Sequence, residues 1–187
     1  EISYSDDLGA TWTDVEVGDQ NNQSIEAFAL DFKGRIWAVA SDGMIYRSDD
    51  SGDSWDLIES GTTTETLVDI EWEDEYTAMV VGESNTVLVT TDGGDTWAAV
   101  TGPSVGNDLT CVEVSYFGIF LVGAADDTLY RTDDDGDNWA TVRDFGSGTI
   151  TGIDLEQDLD YGGWLVREVS GEFHVFRSRT VGVASYL

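Results

Sequence analysis

One cysteine, one proline, one histidine and one lysine occur among 187 residues, and each scarcity removes a class of answers. A lone Cys111 allows no disulfide within the chain. Its place in the apolar run LTCVEVSYFGIFLVGA makes it a small buried hydrophobe. A lone His174 cannot build a multi-histidine zinc site and gives little support to a Ser-His-Asp triad, so it is expected to be a strand residue without a catalytic role. Pro103 falls in a linker, and no run of ten or more residues keeps an apolar period of 3.6, so helices are not needed anywhere. No apolar stretch reaches the roughly 18 residues that cross a bilayer as a helix. A basic segment leading into an apolar one is also missing, so neither a signal peptide nor membrane insertion is expected. The chain opens at Glu1 rather than Met, as a processed or excised piece would.

Positive charge is the scarcest commodity. Eight Lys and Arg, of which only Lys33 is lysine, face 38 Asp and Glu, for a formal net charge of -30. Such a chain repels phosphate backbones and anionic membranes, which excludes nucleic acid as an expected partner. The acids are interleaved with seven Trp, seven Tyr and seven Phe, unlike a disordered acidic tail. An apolar content of 41% over this length fills the core of one domain. Self-repulsion on this scale is screened near 1 M salt, where the Debye length is about 3 Å. The composition therefore resembles proteins of extreme halophiles, haloarchaea above all; an acidic secreted protein is the alternative.

What the sequence has in quantity is one turn, written four times: SDDLGATW from Ser5, SDDSGDSW from Ser48, TTDGGDTW from Thr90 and TDDDGDNW from Thr132. Its third residues, Asp7, Asp50, Asp92 and Asp134, are 43, 42 and 42 residues apart, so the chain is a repeat array. Between successive turns the pattern is constant: two β-rich runs and a short strand lead into the turn, and Trp with a further strand follows it. The first complete unit reads IEAFALDF, RIWAVAS, MIYRS and SWDLIES, with KG, DG and DDSGD as separators. The expected fold is all-β: a single β-propeller domain over 1–187, built of four-stranded antiparallel blades with a repeat of about 42 residues. Full blades are expected at 25–60, 66–101, 109–144 and 149–187. A half-blade at 1–17 brings the expected number to five. In the last unit, SRTVGVAS carries Thr180 where the aspartate of the turn should be.

The turn words resemble the Asp box (BNR repeat) of sialidase-like propellers: Ser/Thr, any, Asp, any, Gly, any, Thr/Ser, Trp. The matches are Ser5, Asp7, Gly9, Thr11 and Trp12; Ser48, Asp50, Gly52, Ser54 and Trp55; Thr90, Asp92, Gly94, Thr96 and Trp97; and Thr132, Asp134, Gly136 and Trp139, with Asn138 departing from the pattern. The letters have a physical reading, since Asp accepts bonds from its own turn, Gly supplies a permissive φ and Trp buries apolar area. A calcium loop is not expected, although DDDGDN begins like one, because the later bidentate Glu is missing. The resemblance implies that the boxes are fold elements remote from any active face.

Asp boxes occur in sialidases and other glycoside hydrolases, and also in non-catalytic propellers such as photosystem assembly factors and sortilin-type receptors, so the fold does not decide the function. A sialidase needs three convergent arginines, and the axis-lining first strands contain none. Arg47, Arg131 and Arg177 recur instead before the turns, where pairing with nearby Asp is expected. A different glycosidase needs two carboxylates, and Asp31, Asp69, Glu71, Glu113 and Asp154 lie on or beside first strands. The face opposite the boxes carries Asn21, Asn22, Gln23, Asp42, Glu83, Asn85, Asp126 and Asp127, whose donors and acceptors suit hydroxyl-rich ligands such as glycans. The expectation is a non-catalytic recognition or structural module on a cell or virion surface, such as a spike, tail or decoration protein. Protein partners or glycans would be its ligands, with no metal or cofactor. A secreted glycoside hydrolase is the alternative, and an intracellular assembly scaffold the third reading.

Overall fold

The computed structural model describes residues 2–5, 7–17, 23–58, 63–103, 106–155 and 162–178. A leading hairpin pairs β1 (Ile2–Tyr4) with β2 (Thr13–Val15). The first blade is β3 (Ile25–Leu30), β4 (Ile36–Ala40), β5 (Ile45–Ser48) and β6 (Asp56–Ile58). The second is β7 (Leu67–Trp72), β8 (Ala78–Gly82), β9 (Thr86–Thr90) and β10 (Ala98–Thr101). The third is β11 (Leu109–Val114), β12 (Phe120–Ala124), β13 (Thr128–Thr132) and β14 (Ala140–Asp144). The fourth contributes β15 (Thr149–Leu155), β16 (Gly163–Val169) and β17 (Glu172–Ser178). Every sheet is an antiparallel meander in chain order. The inner strands β3, β7, β11 and β15 are successive neighbours around an axis. This is a β-propeller of four blades and a partial fifth sheet, as the repeat predicts. The expected fourth strand of the last blade, VASYL, and the degenerate turn at Thr180 lie outside the described residues.

The core lies between blades, because each sheet has two apolar faces to cover. Trp37, Val39 and Ile45 of the first blade meet Leu67, Ile70, Val80 and Leu88 of the second. Trp37, Trp72 and Trp97 form a mutual aromatic cluster with centroids 5.1 to 6.2 Å apart. Met79, Val81, Val87 and Val89 of the second blade meet Leu109, Val112, Phe120 and Val122 of the third. Ile2 and Val17 cover the outer half of the first blade's other face, against Ala38, Ala40 and Tyr46. The inner half of that face, Phe28 and Leu30, is 51% and 68% exposed, since the leading hairpin supplies only outer strands.

Each repeated turn is closed by side-chain bonds that match the sequence reading. In the third copy, the Thr90 hydroxyl donates to Asp92 Oδ1 at 2.8 Å and accepts the Gly94 N–H at 2.9 Å. Asp92 also accepts the Thr96 N–H at 2.9 Å and the Thr96 hydroxyl at 2.6 Å. The same set recurs at Asp7, Asp50 and Asp134, where Asn138 Nδ2 replaces the hydroxyl and donates at 2.7 Å. These bonds hold the Asp7 carboxyl at about 2 and depress the other three. The tryptophans depart from the expectation of uniform burial. Trp97 is buried, and Trp139 donates to the Thr101 carbonyl of the preceding blade at 2.9 Å, whereas Trp12 is 64% exposed.

A second periodic feature had no counterpart in the sequence reading. Each inner strand carries a register shift at one equivalent place, around Glu26, Val68, Thr110 and Thr151. A bulge there adds twist next to the axis. Among the described residues there is no α-helix, only a 3-10 turn at Glu83–Asn85.

Two glycines separate backbone strain from packing. Gly34 has φ +79 with open space around it, so Gly34→Ala should cost only about 1 kcal/mol. Gly94 has φ +85, and a Cβ there would overlap the Trp37 indole of the neighbouring blade. Gly94→Ala should cost more than about 3 kcal/mol. Denaturant unfolding of both variants in molar salt checks the difference.

Candidate functional site

Counted from the register shift of each inner strand, Ala29, Glu71, Glu113 and Asp154 occupy one equivalent position. An acid thus stands on each of three successive blades, 42 and 41 residues apart. Glu71 and Glu113 are partly buried. Burial, followed by the neighbouring Asp69 carboxylate, pushes Glu71 up to about 7. Burial, followed by Glu71 and then by Asp154 and Asp69, pushes Glu113 up to about 8. Asp69 is raised by burial, even though its carboxylate accepts the Val112 N–H of the next blade at 2.9 Å and its own neighbour Ile70 N–H at 3.0 Å. Asp69 therefore binds two inner strands together, and Glu71 and Glu113 are inner-strand carboxyls whose values burial and neighbouring carboxylates raise.

Asp31, the fifth acid considered, stands apart. Burial raises it, but bonds from the Trp37 indole at 3.0 Å and from Arg35 and Lys33 outweigh this and leave it lowered. It locks its own turn and orients Trp37.

The predicted polar edge is formed by the β4–β5, β8–β9 and β12–β13 turns. Asn21 and Asn22 lie outside the described residues, and Gln23 follows them in the linker to β3. Asp42 accepts the Met44 N–H at 3.3 Å within its turn. Glu83 is exposed, and Asn85 adopts φ +64. Asp126 accepts Asn107 Nδ2 at 2.7 Å. Asp127 departs from the expectation of a ligand-facing group. It is completely buried and gripped by Arg167 of the next blade, whose Nε donates at 2.7 Å and whose Nη2 also reaches it. A charge so enclosed is stable only with this partner.

The arginines before the turns pair as expected, Arg47 with Asp49 at 3.0 Å and Arg131 with Asp133 at 3.6 Å, while Arg177 stacks on Trp164. Burial pushes the Cys111 thiol up to about 12, which leaves it inert as a nucleophile. His174 lies on β17 opposite Arg167. Among the described residues, no group of three or more His, Cys, Asp or Glu is placed to hold a metal ion. None of their helices is long and apolar enough to cross a membrane.

The opposite edge, which the sequence reading passed over, presents exposed aromatics on the inner turns. Phe32 lies on the β3–β4 turn, Tyr76 on the β7–β8 turn, and Tyr116 with Phe117 on the β11–β12 turn. Tyr116 is 74% exposed. The signal was available, since an aromatic falls inside each of three equivalent five-residue turns, DFKGR, EDEYT and SYFGI.

Fold and site together define a β-propeller with titrating carboxyls along its inner strands and aromatics on its inner turns. A family model described as "Sortilin, neurotensin receptor 3" (Sortilin-Vps10) matches residues 43–153, and the chain belongs to that family. No curated protein sequence matches it. Among solved structures, virginiamycin B lyase from Staphylococcus aureus superposes with a TM-score of 0.71 at 13% identity, over 89% of this chain and 59% of that one. A GH74 enzyme of Niastella koreensis gives 0.65 at 22% identity, over 95% and 27%. YCF48 bound to D1 peptide gives 0.60 at 17% identity, over 87% and 59%. At these identities the likeness is one of fold. The chain spans about three fifths of YCF48 and of the lyase, and about a quarter of the GH74 enzyme.

Proton linkage follows from these inner-strand carboxyls. Glu71 and Glu113 have folded-state values above those of a free glutamate, so between about pH 5 and 8 the folded state holds more protons than the unfolded. Their contribution to stability is full below the unfolded value and is lost as pH rises through about 7 and 8. The Tm in molar salt should fall across this range, and Glu113→Gln should flatten the slope. A wild-type Tm that stays level or rises between pH 5 and 8 would contradict the assignment.

Proposed function

We propose that the chain is a non-catalytic recognition propeller that works outside the cell in a high-salt environment, as part of a cell-surface or virion assembly. Its four repeated turns are Asp boxes that build the wheel, and the partner-facing chemistry lies on the edges. The observation that carries this reading is the exposure of Phe32, Tyr76 and Tyr116 on equivalent turns of three successive blades. Aromatic side chains gathered on the turns of one edge suit an interface, because aromatic residues dominate interface energetics. The receptor named in the family description is in keeping with binding as the role. The polar turns at Asp42, Glu83, Asn85 and Asp126 on the other edge offer hydroxyl-matching contacts to glycans.

Two measurements test the reading. The labelled protein in molar salt should bind intact haloarchaeal cells saturably and lose that binding once surface glycans are stripped; absence of binding counts against a surface role. The Tm should rise strongly between about 0.1 and 3 M salt as the charge repulsion is screened, and equal values would end the halophile argument.

A glycoside hydrolase is the second reading, favoured by the partly buried Glu71 and Glu113 with their near-neutral values on adjacent inner strands. A carboxyl kept protonated at neutral pH is what a general acid requires. Incubation with polysaccharides should release no reducing ends. Release that is abolished by Glu113→Gln would replace the recognition reading with this one.

A further inference from the structure

At each built junction the repeated turn of one unit seats on the unit before it. In the third turn, Gly94 is buried so closely against Trp37 of the first blade that a Cβ would strike the indole, and Trp97 meets the same ring edge-on at 6.0 Å. In the fourth turn, Gly136 abuts Val100 and Met79 of the second blade, and Trp139 donates to its Thr101 carbonyl. The second turn stands likewise against the leading hairpin: the Tyr4 hydroxyl donates to Asp53, and Trp55 packs on the cluster of Val17, Ile2 and Tyr46. The first turn carries the same lock through Ser5, Asp7 and Thr11. Its packing face, however, is bare. Gly9 is exposed where the other three glycines are buried, Trp12 is 64% exposed, and among the described residues a Cβ on Gly9 would meet only its own Trp12.

The surface that would receive it stands at the other end of the array. On β16, Leu165 packs with Cys111 of the third blade, so the alternation of the strand turns its neighbours Trp164 and Val166 away from that blade. Trp164 lies in register with Asp154 on β15 and with Arg177 on β17, and Val166 with Val175. Trp37, Ala29, Arg47, Val39 and Ile45 hold the corresponding places in the first blade. The arginine contact repeats as well: Arg47 Cζ is 5.6 Å from the Trp37 ring centroid and Arg177 Cζ is 5.2 Å from that of Trp164. In the first blade this face is the one that Gly94 and Trp97 cover, and Trp37, Val39 and Ile45 are completely buried. In the fourth blade Trp164 is 39% and Val175 63% exposed.

We propose that the fourth blade of one copy of the chain receives the first repeated turn of a second copy, with Gly9 and Trp12 seated on Trp164 as Gly94 and Trp97 are seated on Trp37. The occupant is argued from the built junctions: each bare surface is a repeat of one half of an interface that the molecule already makes. Within one copy the two halves do not cover each other, since both tryptophans keep their exposure. A contact between two different patches joins copies head to tail. The formal charge of -30 on each copy opposes association at low ionic strength, and molar salt screens that repulsion. This inference stands on packing and does not depend on the recognition role proposed above.

Sedimentation equilibrium in about 2 M salt tests this. The average mass should rise above that of one chain as the protein is concentrated. Trp12→Ser and Trp164→Ser each remove one half of the junction, and each should weaken association about tenfold. Mixed in equal amounts, the two variants retain one intact pair, Trp164 from the first and Trp12 from the second, and association should return to wild-type strength. Tyr116→Ser, which removes a 74% exposed aromatic on an inner turn, should leave it unchanged. All three substitutions are at exposed positions, and circular dichroism verifies folding. A mixture as weak as its components, or equal weakening in Tyr116→Ser, overturns the proposal. So does a wild-type chain that stays monomeric at every concentration; if the Tm of that monomer falls in both tryptophan variants, the two surfaces meet within one copy instead.

Discussion

Each blade has two apolar faces, and both must be covered by a neighbour. Val39 and Ile45 of the first blade are buried only because Leu67, Ile70 and Leu88 of the second stand against them. The second blade in turn presents Met79, Val81 and Val89 to the third. Arrangement about an axis is the geometry that satisfies this demand for successive meanders. The remaining features depend on it: the inner strands become neighbours, their turns gather on one edge, and a repeated turn bonds to them there through Gly93. Where coverage is incomplete, on the inner half of the first blade's outward face, Phe28 and Leu30 are exposed.

The polar network follows the same logic. Turn residues that look like surface decoration in the sequence serve as links between blades: Asp127 to Arg167, Asp69 to the Val112 amide, and Arg35 to the Gly93 carbonyl. These links are short-range and mostly buried, so they persist in salt that screens the surface charges. The carboxyls with near-neutral values lie on neighbouring inner strands, where partial burial combines with the charge of other carboxylates.

Much of the fold was legible in the sequence because a turn lock is local. Asp7, Asp50, Asp92 and Asp134 each bond to groups within four residues, so the motif carries its own geometry. The candidate site was legible only in part. Glu71, Glu113 and Asp154 were visible as acids on first strands, and the aromatics of the inner turns were visible as letters. Neither set could be told from the rest, since 38 acids and 21 aromatic side chains offer many accidental patterns.

By itself, then, the sequence determined the repeat, the four-stranded unit and the turns, because these rest on hydrogen bonds and alternation within a few residues. The tertiary structure alone decided which of those residues meet across blades. It buried Asp127 under Arg167, gathered Glu71 with Glu113, and set Lys33 on Tyr76. The reason is physical: the burial of a charge and its coupling to another depend on distances between blades some 40 residues apart in the chain, and no local pattern encodes those distances.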